Sequence, residues 1–279
     1  MKKPLALLGC WVLASFAVRA GTLQLQPETV ADLSRTPPVL LVHVANKGTD
    51  AARFVRAEAA LGTLTVRSAP VASVGPGESV DFTLPLARLP SRPGLYQAAI
   101  RLRYADRLGF PYSAVWMADV SVGGALPADW AVGTLSEAAM AGRGTLSLSV
   151  DLLEGRRLPV TARLVLPDEL ACATPERRLE VQEGAPATAV FEVENRGARQ
   201  GSRYLVFAVI EYVANGTNQT SVAGGLVSVE EPPYTVYRRY GLWLAASLAL
   251  LMAFIFIQRR SGEPPGRPGP GQVSPCGRD

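Results

Sequence analysis

Short stretches in which apolar and polar residues alternate fill the chain between residue 21 and about residue 235. An alternation with a period of two predicts strands that are buried on one face. Glycine, proline and asparagine separate these stretches about every dozen residues, which is typical of antiparallel β-sandwiches. The predicted strands are residues 39–45, 52–60, 64–67, 79–84, 96–104, 114–122, 145–152, 160–166, 178–181, 188–194, 204–212 and 221–229.

The predicted strands fall into two sets, so the sequence predicts two domains, residues 21–123 and residues 143–231. Each would have about 90 to 100 residues, a common size for a sandwich domain. Residues 124–142 contain Pro127 and a short alanine-rich stretch. They predict a linker with one helical turn at residues 135–141.

The N-terminus has the features of a secretory signal peptide. Lys2 and Lys3 precede an apolar run over residues 5–18, and Ala20 ends a short stretch suited to cleavage. This order predicts that residues 1–20 are removed on export. A lipoprotein cleavage box ending at Cys10 is the alternative, but the apolar run continues past that cysteine, which favours ordinary cleavage.

A second apolar segment lies near the C-terminus. Residues 241–257 contain no charged side chain, and as a helix they would be about 25 Å long, enough to span a hydrocarbon core. Aromatic residues, including Trp243, lie at one end of this run, as in many membrane spans. The sequence predicts a juxtamembrane segment at residues 232–239, a transmembrane helix at residues 240–258, and a disordered Pro- and Gly-rich tail at residues 259–279.

The orientation of this helix follows from the signal peptide. Arg238 and Arg239 flank one end of the helix as strongly as Arg259 and Arg260 flank the other, so positive residues alone do not decide the orientation. Once the N-terminus is exported, a single later span leaves the C-terminus in the cytoplasm. We therefore expect a single-pass protein of the cell membrane with periplasmic domains and a cytoplasmic tail.

Two stretches, residues 42–48 and residues 191–197, share one pattern. In each, alternating apolar residues end in Asn-x-Gly, with asparagine at Asn46 and Asn195. Asparagine tolerates a left-handed backbone and glycine has no Cβ, so both stretches predict a tight turn after a strand.

Further motifs follow these turns in a similar order. In the first domain, Val-Gly-Pro-Gly-Glu-Ser occupies residues 74–79 and Gly-Leu-Tyr occupies residues 94–96, and the second domain has a related run over residues 181–197. This order resembles the immunoglobulin-like modules of the CARDB and NEW3 type on prokaryotic cell surfaces. The resemblance implies an all-β fold of two tandem immunoglobulin-like antiparallel β-sandwiches, which the predicted transmembrane α-helix would follow. It also implies a non-catalytic adhesion, spacer or carbohydrate-associated role, and it assigns no site residues.

Charge and cysteine content narrow the range of functions. The net charge is +4 and the basic residues are scattered, so nucleic-acid binding is not predicted. Cys10, Cys172 and Cys276 fall in the signal peptide, the exported region and the tail, which excludes an intramolecular disulfide in the predicted topology. Cys172 is interpreted as a small buried or loop residue, and a reactive thiol is the alternative.

The sequence predicts no catalytic residue, no metal site and no cofactor. His43 is the only histidine, and its place in an alternating strand favours a half-buried structural imidazole over a catalytic base. One histidine and one exported cysteine do not make a usual zinc site. The chain is therefore not expected to be an enzyme.

Carboxylate pairs are the remaining features that could serve a hydrolase. Glu192 and Glu194 share one face of a predicted strand, with Glu211 expected nearby. Carboxylates on a solvated sheet face are the ordinary outcome of such a pattern. Two further pairs, at residues 168–169 and 230–231, fall in predicted loops.

Aromatic residues cluster in one predicted hairpin of the first domain. Phe110, Pro111, Tyr112 and Trp116 lie close together in sequence, and exposed rings there could stack on sugars or bind a protein. The alternation places Tyr112 and Trp116 on one strand face, which favours packing in the core. Elsewhere, residues 215–217 match a glycosylation acceptor, but Asn-Gly favours a tight hairpin turn.

Together these features predict a non-catalytic membrane-anchored envelope protein that presents two immunoglobulin-like domains for protein–protein interaction or scaffolding. The alternatives are a module that binds glycan or peptidoglycan and a periplasmic chaperone-like accessory protein. The expected partners are the membrane and other envelope proteins, with a glycan as the alternative ligand.

Overall fold

The computed structural model describes residues 22–124, 130–155, 157–231 and 233–261. The predicted signal peptide at residues 1–20 and the tail from residue 262 to residue 279 lie outside the described residues. The chain divides into two compact units, Met1–Glu230 and Glu231–Asp279. Within the first unit, residues 22–124 are here called the N-terminal half and residues 130–230 the C-terminal half.

The N-terminal half is built from strands joined by short turns. They are β1 (Leu25–Asp32), β2 (Val39–Asn46), β3 (Ala52–Leu61), β4 (Leu64–Arg67), β5 (Val71–Val74), β6 (Ser79–Pro85), β7 (Gly94–Ala105) and β8 (Pro111–Val122). The C-terminal half has the same character. Its strands are β9 (Ala131–Leu135), β10 (Ala138–Met140), β11 (Arg143–Leu152), β12 (Arg157–Val165), β13 (Leu170–Cys172), β14 (Glu176–Gln182), β15 (Ala187–Asn195), β16 (Arg203–Ala214) and β17 (Thr217–Val229).

The described strands form three sheets with a sandwich-like arrangement. One sheet has the order β1-β2-β6 and belongs to the N-terminal half, and another has the order β13-β15-β11-β9 and belongs to the C-terminal half. The largest sheet runs through both halves in the order β14-β12-β16-β17-β7-β3-β4, with β5, β8 and β10 paired beside this path. The predicted all-β character of this region is confirmed.

Each half buries its own apolar core. The N-terminal core includes Leu40, Leu84 and Ile100, which are fully buried, because alternate residues of the facing sheets point inward. The C-terminal core is centred on Phe191 and Ile210. Removing such side chains from water is the main stabilising contribution to each half.

All of the strands predicted from the alternation are confirmed, mostly within a few residues at each end. The structure adds β1, β5, β9, β10 and β13, which the alternation did not predict. β1 contains a proline and is followed by a polar loop, and β5 and β13 are only four and three residues long. Segments this short hold at most two periods of the alternation, and β4, which is equally short, was predicted because its Leu64 and Val66 alternate with polar residues.

The helical turn predicted at residues 135–141 is wrong. β9 pairs with β11, from Ala131 opposite Leu152 to Leu135 opposite Leu148, and β10 pairs in parallel with β17. The alanine-rich stretch favours a helix locally, but Leu135 and Met140 are buried in the C-terminal core, and burial outweighs propensity. Residues 131–140 of the predicted linker therefore lie in sheets of the C-terminal half, and residues 125–129 lie outside the described residues.

The side chain of Asn46 holds the first Asn-x-Gly turn together. Asn46 is fully buried, and its Oδ1 accepts a hydrogen bond from Gly48 N at 2.9 Å. Its Nδ2 donates to the carbonyls of Asp50 at 2.8 Å and Val74 at 3.0 Å. Gly48 is required by close approach, because a Cβ there would lie 2.2 Å from Thr22 O.

The second Asn-x-Gly turn is built in the same way, since Asn195 Oδ1 accepts a hydrogen bond from Gly197 N at 3.0 Å. The turns predicted at these two positions are present, although neither asparagine has a positive φ. Side-chain hydrogen bonds to the backbone define both turns instead. Asn215 and Gly216 do have positive φ, 50° and 76°, which confirms the tight hairpin turn predicted there.

The second unit contains one helix, α1 (Pro233–Ser261), whose described side chains from Trp243 to Phe256 are all exposed. The helix includes the predicted juxtamembrane residues from 233 onward. Across the described residues, no helix combines the length and the apolar character that a membrane span requires. The transmembrane helix at residues 240–258 stays a prediction.

Candidate functional site

The two halves of the first unit pack side by side along the β7–β8 hairpin. At one end of this hairpin Gly94 pairs with Asn218, so that β7 and β17 run in parallel. In the middle, Val115 packs with Val165 and Val209 in a small buried cluster. Polar and aromatic side chains gather towards the turn of the hairpin, and this region is the candidate functional site.

The pairing of β7 with β17 depends on a glycine. Gly94 has φ of 154°, and a Cβ at this position would lie 2.2 Å from Asn218 O. The backbone N of Asn218 donates to Pro93 O at 3.0 Å, and its Nδ2 donates to Leu95 O at 3.0 Å. A side chain at residue 94 would therefore separate the two halves at this point.

Glu169 is a buried carboxylate that joins the halves. The backbone N of Ser113 donates to Glu169 Oε1 at 2.6 Å, and Ser113 Oγ donates to Glu169 Oε2 at 2.6 Å. Ser113 Oγ also accepts a hydrogen bond from Asp168 N at 2.7 Å. Hydrogen bonds to a charged acceptor are stronger than neutral ones, and they offset the cost of burying the carboxylate.

Beside Glu169 lies a cluster of alternating charges. Glu58 accepts hydrogen bonds from Arg67 Nε at 2.5 Å, Arg103 Nη1 at 2.9 Å and Arg101 Nη1 at 3.2 Å. Arg103 also donates to both carboxylate oxygens of Asp168, and Arg101 Nε lies 3.2 Å from Asp168 Oδ1. Glu58 and the arginines belong to the N-terminal half and Asp168 to the C-terminal half, so the cluster spans the junction.

These contacts shift two pKa values toward the charged forms. Burial is the largest influence on Glu58 and raises its pKa, but the hydrogen bonds and charges of Arg67 and Arg103 outweigh it, so the pKa lies below its ordinary value. The hydrogen bond to Asp168 is the largest influence on Arg103 and raises its pKa. Both groups are therefore charged at neutral pH, where they hold the junction together.

Aromatic rings and one arginine complete the site. Tyr112 stacks on Tyr104 with ring centroids 5.8 Å apart, and Phe110 meets Tyr112 edge-on at 5.2 Å. The guanidinium carbon of Arg199, from the C-terminal half, lies 3.6 Å from the Phe110 centroid and 5.5 Å from that of Tyr112. This cation–π contact is a further link across the junction.

The phenol groups of Tyr104 and Tyr204 are neutral over the physiological range. Burial, followed by the charge of Glu169, raises the pKa of Tyr104 to about 12. The same two causes, in the same order, raise the pKa of Tyr204. The phenols can therefore serve as apolar rings with a polar end and not as general bases.

A cleft opens between the halves beside these rings. One part, of about 300 Å³, has Tyr112 and Trp116 on one side and Tyr204 and Leu205 on the other. A neighbouring part, of about 270 Å³, lies between Tyr112 and the loop of Asp168. Both parts are mainly apolar, which suits a ligand that buries apolar or aromatic surface.

The structure brings together only some of the aromatic residues predicted to cluster. Phe110 and Tyr112 are in contact, as expected. Trp116 is half-buried and packs against the N-terminal core, as the alternation predicts, and it also lines the cleft. Asp168 and Glu169 lie in a loop, as predicted, but the sequence interpretation missed their contacts across the junction. The spacing of two arginines on one face of β7 was the available signal for an acidic counterpart.

His43 does not occupy the half-buried position expected of it. It is 46% exposed, and its Nδ1 lies 2.6 Å from Oδ1 of the still more exposed Asp81. Cys172 is half-buried on β13, packs against the C-terminal core, and is a free cysteine. Within the described ranges, no group of three His, Cys, Asp or Glu residues could hold a metal ion.

The carboxylates of β15 do not form a catalytic pair with Glu211. Glu194 forms an ion pair with Arg143 at 2.7 Å on the sheet surface. Glu211 lies on β16, in a different sheet from β15, where Arg163 is 3.7 Å away. The expected proximity of Glu211 to the β15 carboxylates is therefore wrong.

No family model and no curated protein matches this chain. Several solved structures are similar over part of their length. The native α2-macroglobulin of Escherichia coli is 13% identical, with 74% of this chain and 17% of that chain covered at a TM-score of 0.30. This chain thus spans about a sixth of that protein.

Two other solved structures are similar to this chain at a comparable sequence identity and TM-score. A membrane-anchored protein from Corynebacterium diphtheriae is 13% identical over 77% of this chain and 60% of that chain, with a TM-score of 0.26. The FN1–FN3 domains of chicken CNTN1 are 13% identical over 75% of this chain and 66% of that chain, with a TM-score of 0.23. These comparisons do not confirm the resemblance to CARDB or NEW3 modules.

Proposed function

We propose that this chain is a non-catalytic, membrane-anchored envelope protein whose two immunoglobulin-like halves bind a protein partner in the cleft between them. The observation that carries the proposal is that the carboxylates around the cleft already have partners within the junction. Glu58, Asp168 and Glu169 are each bound by arginine or serine groups of the junction. What faces the cleft is mainly aromatic and apolar surface, which suits binding better than acid–base chemistry.

The fixed junction favours recognition over a flexible linker. Hydrogen bonds, ion pairs, a cation–π contact and a β-bridge join the halves at several points along β7 and β8. A site whose two walls are already held in place loses less conformational freedom on binding. The cleft is therefore the surface at which we expect a partner.

The anchor is proposed from the sequence together with the exposure of α1. The described side chains from Trp243 to Phe256 are exposed, and Leu244, Leu248 and Phe254 are among them. A helix with apolar residues on all sides is poorly suited to water. We place this segment in the cell membrane, with the first unit in the periplasm and the tail in the cytoplasm.

Photo-crosslinking in intact cells tests the proposed partner surface. The photoreactive residue p-benzoylphenylalanine would replace Leu205, an exposed residue that lines the cleft. The matched control is the same replacement at Leu153, which is also exposed but lies in the turn between β11 and β12. We expect a discrete adduct with an envelope protein, identified by mass spectrometry, at Leu205 and not at Leu153. Identical adducts at both positions, or no adduct at Leu205, would contradict the proposal.

The proposed sidedness has its own test. An impermeant maleimide added to sealed spheroplasts should label Thr63→Cys, an exposed turn position between β3 and β4. It should label Cys276 only after lysis. Labelling of Cys276 in sealed spheroplasts, with Thr63→Cys protected, would place the first unit in the cytoplasm.

A glycan is the second candidate ligand, and the half-buried ring of Trp116 at the cleft wall is the observation that favours it. Sugars stack on such rings. Glycan arrays probed with the detergent-solubilised chain would show binding that Trp116→Ala removes. If no sugar binds the unchanged chain, this second function is excluded and the protein partner stands alone.

A further inference from the structure

The turn of the β7–β8 hairpin lies at the end of the first unit from which the chain continues to α1. The last residue of β17, Val229, accepts a hydrogen bond from Gly201 N at 2.7 Å and donates one to Ser202 O at 2.9 Å. Two residues before Gly201 along the chain, Arg199 lies over the ring of Phe110. These contacts place the hairpin turn, residues 106–110, beside the exit of the chain. We call this end of the first unit the exit end.

Two large apolar side chains are exposed at the exit end. Leu108, in the hairpin turn, is 84% exposed, and Phe54, near the start of β3, is 64% exposed. β3 begins at the exit end, because Arg53 pairs with Ala105, the last residue of β7. Apolar side chains at such positions lose water contact only if another surface covers them.

The backbone at Phe54 is strained. Its φ is 53°, in the left-handed region that bulky L residues rarely adopt. The strain coincides with an irregularity in the pairing of β3 with β7 between Arg53 and Arg56, and it accompanies the outward position of the ring. Strain of this kind persists where the surrounding structure enforces it, often at a binding surface.

An exposed arginine directly precedes each of these two apolar residues in the sequence. Arg53 and Arg107 are exposed, and among the described residues neither has an ion-pair partner. The carboxylate next to Arg107, that of Asp106, accepts hydrogen bonds from the backbone N of Leu108 at 2.9 Å and of Phe110 at 2.8 Å, so it stabilises the turn itself. Exposed arginines next to apolar side chains fit a surface of lipid phosphates above an apolar layer.

We propose that the exit end lies on an anionic bilayer, with Leu108 and Phe54 in the headgroup layer and Arg53 and Arg107 at lipid phosphates. The inference rests on the proposed membrane anchor, because α1 begins at Pro233, shortly after the first unit ends at Glu230. A tethered surface meets the bilayer at a high effective concentration, so a few weak contacts suffice to hold it there.

The test uses the full-length chain in proteoliposomes, with the native cysteines replaced by serine. An environment-sensitive fluorophore is attached to Leu108→Cys, and the matched control carries it at Thr63→Cys, in the turn at the opposite end of β3. The vesicles contain phosphatidylcholine with or without phosphatidylglycerol, together with a lipid that carries a quencher in its headgroup. We expect strong quenching at residue 108 and little at residue 63, and more quenching at residue 108 when phosphatidylglycerol is present.

Charge reversal separates lipid contact from simple proximity. Arg53→Glu and Arg107→Glu should each lower the equilibrium constant for contact of the exit end with the anionic vesicles by at least about fivefold, which is the contribution of the one basic residue removed. Circular dichroism would verify that each variant keeps its β-sheet signal. Equal quenching at residues 108 and 63 in chains that float with the vesicles would overturn this inference and leave the anchor intact. Chains that do not float with the vesicles would overturn the anchor, and this inference with it.

Discussion

Glu58 is the best single test of how the junction is held together. Its side chain is 7% exposed and lies among Arg67, Arg101 and Arg103, with bonds of 2.5 to 3.2 Å. Glu58→Gln preserves the shape of the side chain but removes its charge. The three guanidinium groups would then repel one another, with Asp168 as the remaining carboxylate of the cluster.

The structure sets the size of the effect. Hydrogen bonds to charged groups contribute about 1.5 to 3 kcal/mol each, but Arg67 is 61% exposed and its bond is largely screened by water. Arg101 and Arg103 keep a partner in Asp168, which reduces the loss further. We therefore expect a destabilisation of about 3 kcal/mol, the lower end for breaking a buried pair. For a unit of this size that corresponds to a fall in Tm of about 6 to 12 °C.

Thermal unfolding of the full chain in detergent, followed by circular dichroism, measures this difference. Glu194→Gln is the matched control, because Glu194 is 44% exposed and its partner Arg143 is 83% exposed. Such a surface pair contributes less than about 1 kcal/mol. If Glu58→Gln lowers the Tm no more than Glu194→Gln does, the ionic cluster does not stabilise the first unit and the reasoning is refuted.

The effect of Glu58→Gln on the Tm should depend on pH in a defined direction. The folded-state pKa of Glu58 lies below its ordinary value of 4.5, so the charged form stabilises the folded state. That stabilisation is complete above the pKa of the unfolded chain and is lost as the pH falls through the folded-state pKa. The Tm difference between the unchanged chain and Glu58→Gln should be full at pH 7 and shrink below about pH 4.5. A difference that grows toward acid pH would contradict the assignment.

Three further substitutions test other contacts. Gly94→Ala should lower the free energy of unfolding by about 2 kcal/mol and speed hydrogen exchange at the Asn218 amide. Unchanged exchange there would mean that the glycine is not needed for the pairing. Asn46→Ala removes three hydrogen bonds of a buried amide. In denaturant unfolding it should lower the free energy of unfolding by about 3 kcal/mol, against about 1 kcal/mol for Asn195→Ala at the more accessible asparagine. Equal losses in the two variants would contradict the argument from burial. Arg199→Ala should lower the free energy of unfolding by about 1 kcal/mol, because it removes the cation–π contact. An equally large loss in Arg199→Lys, which keeps the positive charge, would mean that the cation–π contact is not what Arg199 contributes.

The strands were predictable because each half is a sandwich with one buried and one solvated face per sheet. The pattern on β15 is an example: Ala189, Phe191 and Val193 are buried, and Val190 between them is exposed. Such an alternation can be read from the sequence without knowing the partner strand. β10 was not predictable in this way, because three residues hold less than two periods.

The junction was not predictable from the sequence. Ser113 and Glu169 are 56 residues apart, and Arg103 and Asp168 are 65 residues apart. Their contact depends on which strands of the two halves become neighbours, and local patterns do not specify that choice. The same limit explains why Arg199 was not connected with the aromatic hairpin.

The separate cores and the shared junction have different consequences for function. Each half buries its own core, so a change in either core acts first on the stability of that half. The cleft, in contrast, exists only where Tyr112 of one half faces Leu205 of the other. The distance between these walls depends on the contacts of Glu169 and Asp168 across the junction, and neither of these residues lines the part of the cleft between Tyr112 and Leu205. The binding properties of the first unit therefore depend on ionic contacts that fix the position of one half against the other, while its fold depends on the apolar cores.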